Sequence, residues 1–380
     1  MKYCILVPDG CAGLQSERPT PLEKAATPNM DMLAAQGISG LVQTIPRSMK
    51  PGSDVANISL LGFDPATYYT GRSPIEAASM GIDLGPEDTS FRCNLVRIED
   101  GNMADYSAGH ISTPDAHAII DRLNRELKSD TMEFYPGVSY RHAFVLRNKR
   151  CDCECTPPHD ISGQAIQGYL PHGPDSQAVV DIQNRAAEIL RDMDSANAIW
   201  LWGQGTKPAF PSLREHYGIS GGMISAVDLL KGIAIYLGME IIDVPGITGY
   251  MDTNFSGKGD AAAEALTRMD LVFVHVEAPD EAGHRGEEHT KIKAIELIDS
   301  LVLPPIMGAA KTLGDTRIMV LPDHTTPIST MTHGSEPVPF IMAGPGIRAD
   351  ANTVFSEAGG AGTGVLIPSG PDLLNRFLFE

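Results

Sequence analysis

The sequence predicts an α/β protein, a mostly parallel sheet flanked by helices, interrupted by an inserted α+β domain. Short apolar runs alternate with helix-period segments in the first 84 residues and again from about residue 210. Between those stretches the pattern changes to hairpin-forming strands with helices set apart. At 380 residues the chain also exceeds what one core usually serves. The expected organisation is a core built from 1–84 and 210–380, with the inserted domain over 85–209.

Taken in order, Tyr3 to Val7 reads as a buried strand ending in Pro8-Asp9-Gly10. Thr27-Pro28 opens a helix that stops at Gly37, and Ile38 to Ile45 is a second strand. Pro51-Gly52 then turns the chain into a helix carrying Val55, Ile58 and Leu61 on one face, with Ser53 at or near its N-cap. In the insert, Phe91 to Ile98 and Asn102 to Tyr106 are joined by Glu99-Asp100-Gly101, a hairpin signal. Thr113 to Leu127 and Asp175 to Met193 read as helices; Tyr140 to Leu146, the stretch Cys151-Asp-Cys-Glu-Cys155 and Ile199 to Trp202 read as strands. The second part of the core has helices at Ile224 to Leu237, Thr290 to Gly308 (interrupted late by Pro304-Pro305) and Pro371 to Phe379. Its strands are Leu271 to Val276, Ile318 to Leu321 and Val338 to Met342.

Composition narrows the function classes. A net charge of −19 argues against nucleic acid or an anionic membrane as the main partner, while leaving room for a small anionic substrate beside local cations. No apolar run has the length of a membrane span, and the start MKYCILVPDG lacks the features of a signal peptide, so a cytoplasmic location is expected. Six cysteines in a chain this long do not suggest a disulfide framework. Cys151, Cys153 and Cys155 read as small residues on one strand face, since no CxxC or His pair stands nearby to complete a soft-metal site.

The chemistry collects at strand ends. Asp9 follows the first strand, Asp280-Glu-Ala-Gly-His284 follows Leu271 to Val276, Asp323-His324 follows Ile318 to Leu321, and Thr332-His333-Gly334 comes one short loop later. Each element alone has an ordinary explanation: a turn for Asp-Gly, a helical pair for Asp and His four residues apart. Together they are three aspartates and three histidines at corresponding ends of separate strands, which suits Zn²⁺ or Mn²⁺ and suffices for two ions. A serine after Pro-Gly normally caps its helix. Beside two cations its hydroxyl would ionise at neutral pH and attack phosphorus.

These motifs resemble the metal-dependent alkaline phosphatase superfamily. Within it they are most similar to the archaeal-type cofactor-independent (2,3-bisphosphoglycerate-independent) phosphoglycerate mutases. Gly-Ser-Asp-Val-Ala-Asn, Tyr-Tyr-Thr-Gly-Arg72, Asp-Tyr-Ser-Ala-Gly-His110, Gly-Val-Ser-Tyr-Arg141-His, Pro-Pro-His159-Asp-Ile and Trp-Gly-Gln-Gly205 carry the likeness along nearly the whole chain. The resemblance implies an alkaline-phosphatase-like core and an isomerase that interconverts 3-phosphoglycerate and 2-phosphoglycerate through phosphorylated Ser53. It implies one ion on Asp280, His284 and His333, and another on Asp9, Asp323, His324 and Ser53. Mn²⁺ or Zn²⁺ is expected, Co²⁺ and Mg²⁺ also suit, and no bisphosphoglycerate is required. The inserted domain would close over the substrate and contact it through His110, Arg141 and Arg147. Lys231 would steady the transferring phosphoryl group, with Lys258 the weaker candidate. The bacterial branch carries two arginines where this chain has Trp202-Gly-Gln-Gly205, which leaves the glycerate clamp open. The alternatives within the same chemistry are a homoserine kinase-like phosphotransferase and a metal-dependent phosphomonoesterase. No Walker-type loop is present to cradle a nucleotide donor.

Overall fold

A computed structural model describes residues 1–380, which separate into two units. Met1–Tyr69 with Phe210–Glu380 forms the first, and Thr70–Ala209 the second. Before the second unit come β1 (Lys2–Pro8) and β2 (Ile38–Val42). Within it lie β3 (Thr89–Glu99), β4 (Asn102–Asp105), β5 (Met132–Val138), β6 (Arg141–Leu146) and β7 (Ala198–Thr206). After it follow β8 (Gly221–Ile224), β9 (Glu240–Ile241), β10 (Leu271–Val276), β11 (Thr316–Val320), β12 (Val338–Ala343) and β13 (Leu366–Ile367).

The first unit is an eight-stranded sheet in the order β13-β2-β12-β11-β1-β10-β8-β9. Only β12 runs antiparallel to its neighbours; the other pairings are parallel. The centre is dry on both faces, as parallel sheets require: every residue of β10, β11 and β12 is buried. The helices Phe255–Leu266 and Leu303–Leu313 contribute Ala262, Leu266, Leu303 and Ile306 to one core with Leu6, Val272 and Val274. The order matters for chemistry. β11, β1 and β10 are adjacent, with Leu6 opposite Val320 and Pro8 opposite Val276, so the chain leaves all three strands at one edge.

In the second unit β4-β3-β6-β5 form an antiparallel sheet, with β7 paired to β3. The β3–β4 turn places Asp100 and Gly101 at φ 49° and 76°, the left-handed pair of a tight hairpin. Two amphipathic helices, Thr113–Leu127 and Ser176–Leu190, bury Ile119, Leu123, Val179 and Ile182 against Phe91, Leu95, Phe144 and Leu201. Ser112 caps the first of these by accepting the Asp115 N–H at 3.3 Å. The helix Arg72–Ser79, with Pro74 in its first turn, packs on β3 and β7 and therefore groups with this unit.

Three local expectations are corrected. The cysteine stretch is not a strand: only Glu154 bridges, to His172, because no neighbouring strand offers a ladder. Ile224 closes β8 and the helix begins at Asp228, the apolar run having hidden the turn at Ser225. Pro304 and Pro305 open the helix Leu303–Leu313, where a missing N–H costs nothing, after a wider π-helical turn at Ile298–Val302.

Candidate functional site

The seven residues expected to form the metal centre all come to the strand-end edge of the first unit. Asp280 and His284 stand one turn apart on the helix Ala278–His284, Oδ2 to Nε2 3.1 Å. His333 brings its Nε2 to 2.9 Å from His284 Nε2 and 3.6 Å from Asp280 Oδ2. Next to this triad, His324 Nε2 faces Asp9 Oδ1 at 3.6 Å, Asp323 Oδ2 at 3.4 Å and Ser53 Oγ at 3.1 Å. The His324 and His333 rings lie 4.0 Å apart between centroids, so the two groups form one continuous cluster.

Ser53 is not the cap of its helix. Gly52 takes that position and Ser53 is the first helical residue of Ser53–Leu60, its hydroxyl making no capping bond and turning to His324 instead. The first-turn N–H groups still point the same way, so the helix end favours negative charge beside the hydroxyl. Asn57, one turn on, donates to the Ser53 carbonyl and to Asp323 Oδ2, both at 2.8 Å, and ties the serine turn to the cluster.

The surroundings hold the loops in place. Gly10 has φ 57° and donates its N–H to Asp323 Oδ1 at 3.1 Å. A Cβ there would fall 2.5 Å from both Asp280 Oδ1 and Thr326 Oγ1, so only glycine fits. Thr326 donates to Asp280 Oδ1, and the fully buried Lys291 ties the Gly10 carbonyl to the Thr326 carbonyl. A second buried lysine, Lys258, donates to the His275 carbonyl at 2.8 Å; burial pushes its ammonium down to about 8 against the upward pull of Glu277 and Asp9. Lys258 and Lys291 are thus the two buried ammonium groups beside the cluster. Lys231, expected in that role, stands on the helix Asp228–Tyr236 with Nζ 3.7 Å from Asp228 and a third of its side chain in solvent.

Three buried carboxylates this close cannot share one charge state without cations. Burial, then the charges of Asp323 and Asp280, hold Asp9 well above the usual carboxylate range. Burial would raise Asp280 too, but hydrogen bonds from His284 and His333 hold it well below. Asp9 Oδ1 is buried with no hydrogen-bond partner. Acceptors in this number, with imidazoles and an orphaned carboxylate oxygen, fit divalent ions bound through mixed O/N ligands.

Among the imidazoles of the site, His275 was missed in the sequence: it lies inside β10, with Nε2 3.0 Å from Asp9 Oδ2. The available signal was a lone imidazole in an otherwise apolar buried strand.

The remaining expected residues lie in the second unit. His110 sits at φ 54°, after Ala108 and Gly109, which are also left-handed. Asp105 pins this turn by accepting the Ser107 and Gly109 N–H groups, both at 2.7 Å. The His110 ring meets Tyr140, over which Arg141 also lies. Arg147 is placed elsewhere, bound to Asp88 at 2.6 Å, the Asp83 carbonyl at 2.8 Å and the Tyr135 hydroxyl. Two arginines not expected from the sequence to contact substrate, Arg72 of the Tyr-Tyr-Thr-Gly-Arg motif and Arg92, complete a basic cluster and both bind Glu76 at 2.8 Å. Arg92 also stacks 4.2 Å over Trp202, and burial plus the charges of Arg72 and Arg141 push its guanidinium down to about 10 despite Glu76.

Comparison with known proteins agrees with this geometry. Residues 34–195 match the family model described as 2,3-bisphosphoglycerate-independent phosphoglycerate mutase. A protein of that name from Methanosarcina acetivorans is 51% identical, covering 90% of each chain. One from Methanothrix thermoacetophila is 46% identical over 100% of both chains. Among solved structures, a cofactor-independent phosphoglycerate mutase from Thermoplasma acidophilum matches with TM-score 0.68 at 26% identity, covering 100% of this chain and 99% of the other. A Pyrococcus horikoshii protein matches with TM-score 0.82 at 26% identity, covering 99% and 96%.

Proposed function

The chain belongs to the 2,3-bisphosphoglycerate-independent phosphoglycerate mutases, and from that premise we propose how it interconverts 3-phosphoglycerate and 2-phosphoglycerate. The carrying observation is Ser53 Oγ, released from capping and held 3.1 Å from His324 Nε2 at a helix N-terminus. Ser53 attacks the phosphorus of the substrate; the bond from phosphorus to the glycerate oxygen breaks as the bond to Oγ forms. The glycerate stays bound, presents its other hydroxyl, and the reverse displacement returns the phosphoryl group to it. The N–H groups of Ser53 and Asp54, which open the helix, stabilise charge on the equatorial oxygens, Val55 N–H being bound to Asp54 Oδ1, and Asn57 keeps the serine aimed. Asp280, His284 and His333 would hold one divalent ion, and Asp9, Asp323, His324 and Ser53 the other. When bound, such ions favour the ionised serine and offset charge on the phosphoryl group. Mn²⁺ or Zn²⁺ suits the donors, and the buried Lys258 and Lys291 add positive charge beside them. Free cysteines and the absence of a helix long and apolar enough to cross a membrane support a cytoplasmic setting.

The second unit would bind the glycerate carboxylate through Arg92, Arg72 and Arg141, with His110 beside them. The arginines missing around Trp202 are thereby replaced from the neighbouring strand, since Arg92 of β3 stands opposite Trp202 of β7. Arg92→Met should raise KM for 3-phosphoglycerate by about 10- to 100-fold, the worth of a charge-assisted bond, with kcat changed far less. Unchanged KM in the folded variant would remove Arg92 from the clamp.

The reaction itself is tested with 3-phosphoglycerate and Mn²⁺, without bisphosphoglycerate, by coupling the 2-phosphoglycerate formed to its dehydration. Turnover above the Ser53→Ala control is expected, and its absence would overturn the reading. Steady phosphate release without isomerisation would mark a phosphomonoesterase instead, and ATP-dependent phosphorylation of homoserine a kinase.

A further inference from the structure

We propose that His275 is a further ligand of the ion held by Asp9 and Asp323, an assignment that rests on the two-ion reading above. The imidazole is 0% exposed, in a strand otherwise made of Leu271, Val272, Phe273, Val274 and Val276. Its Nε2 lies 3.0 Å from Asp9 Oδ2, yet the pair is not aligned as a hydrogen bond and Nε2 has no other partner. Across the ring, Nδ1 is 3.3 Å from Ser225 Oγ, which itself accepts the Val227 N–H at 3.0 Å. A ring proton on Nδ1, donated to Ser225, accounts for both observations. Nε2 then carries a lone pair and turns it toward two carboxylates. In a dry site that arrangement is unfavourable unless a cation lies between them. Fixing a ligand imidazole through its second nitrogen is how proteins orient such ligands.

The spacing of the donors agrees. Ligand atoms about 2.1 Å from one ion lie about 3.0 Å apart at right angles and about 3.4 Å apart at the tetrahedral angle. Asp9 spans the position with its two oxygens: Oδ2 is 3.0 Å from His275 Nε2, and Oδ1 is 3.6 Å from His324 Nε2, which lies 3.4 Å from Asp323 Oδ2 and 3.1 Å from Ser53 Oγ. The nearby ammonium groups do not substitute for a cation here. Lys258 is bound to the His275 carbonyl, and Lys291 to the carbonyls of Gly10 and Thr326. With His275 this position has five protein donors against three at Asp280, His284 and His333, so it favours a six-coordinate ion such as Mn²⁺.

The test measures binding, not turnover. Mn²⁺ binding to the full chain is followed by electron paramagnetic resonance and by metal analysis after dialysis. Wild type should hold two ions. His275→Asn and His275→Gln should keep the ion on Asp280, His284 and His333 and weaken the other by about tenfold or more. Two ions at wild-type affinity in a folded His275 variant, while Asp323→Asn loses one, would overturn the assignment and leave the two-ion reading standing. If Asp280→Asn and Asp323→Asn both bind as wild type does, the two-ion reading fails and the assignment with it. Should neither His275 variant fold, ¹⁵N-histidine spectra of the wild type decide. Of its 11 histidines, four should take metal-bound shifts on adding Zn²⁺, with the proton of the fourth on Nδ1; only three would overturn the proposal.

Discussion

Ser53→Ala is expected to lower turnover by about five orders of magnitude or more while leaving the fold intact, because the hydroxyl does chemistry and no structural work. Alanine at the first helical turn is a good helix former, and Gly52, not Ser53, occupies the capping position. The lost contact is a single one, from Oγ to His324 at 3.1 Å, at a half-buried position. With the ions removed from both proteins, the melting temperature should therefore stay within about 2 °C of wild type. A purely structural serine predicts the opposite pattern, a stability loss near 1 kcal/mol with activity largely kept. Mass spectrometry of protein quenched during turnover should show one phosphate on the peptide containing Ser53, absent in the variant. Activity of the folded variant within about a hundredfold of wild type would end the claim that Ser53 is the nucleophile.

How much of this site could be read in the sequence follows from where its residues sit relative to their strands. Asp9 is the residue directly after β1, and Asp323 and His324 follow β11 by a few residues, so a strand-end reading finds them. His275 lies inside β10, where one polar residue in a fully buried strand breaks no alternation and signals no turn. Lys258 and Lys291 are on helices rather than in the strand-end loops, and a lysine on a helix normally lies in solvent; only the fold shows that each reaches a buried backbone carbonyl. Arg92 was hidden by strand pairing. Its partner Trp202 is 110 residues away, and the register that stacks them is a property of the sheet. The period-2 cysteines misled for the same reason: alternation describes a face, but a strand also needs a neighbour.

Removing the ions should abolish activity and also destabilise the first unit, and the two effects have one electrostatic cause. Asp9, Asp280 and Asp323 are each 4% exposed or less and lie within one cluster, so without cations their charges meet only imidazoles and the neutral donors of the backbone, Asn57 and Thr326. Ions that bind the native state alone stabilise it by about 3–4 kcal/mol each when present at 100–1,000 times their dissociation constant. Chelation is then expected to lower the melting temperature by about 5 °C or more and to bring turnover to background, both restored by Mn²⁺. Asp323→Asn should reproduce the activity loss irreversibly, by about three orders of magnitude or more. Its amide oxygen can still accept from the Gly10 and His324 N–H groups, but its NH₂ would face the Asn57 NH₂, donor against donor, where Oδ2 accepts at 2.8 Å. Excess Mn²⁺ does not repair that mismatch. A melting temperature unmoved by chelation, with activity also unmoved, would mean that the buried acids are balanced within the protein and that no ion takes part.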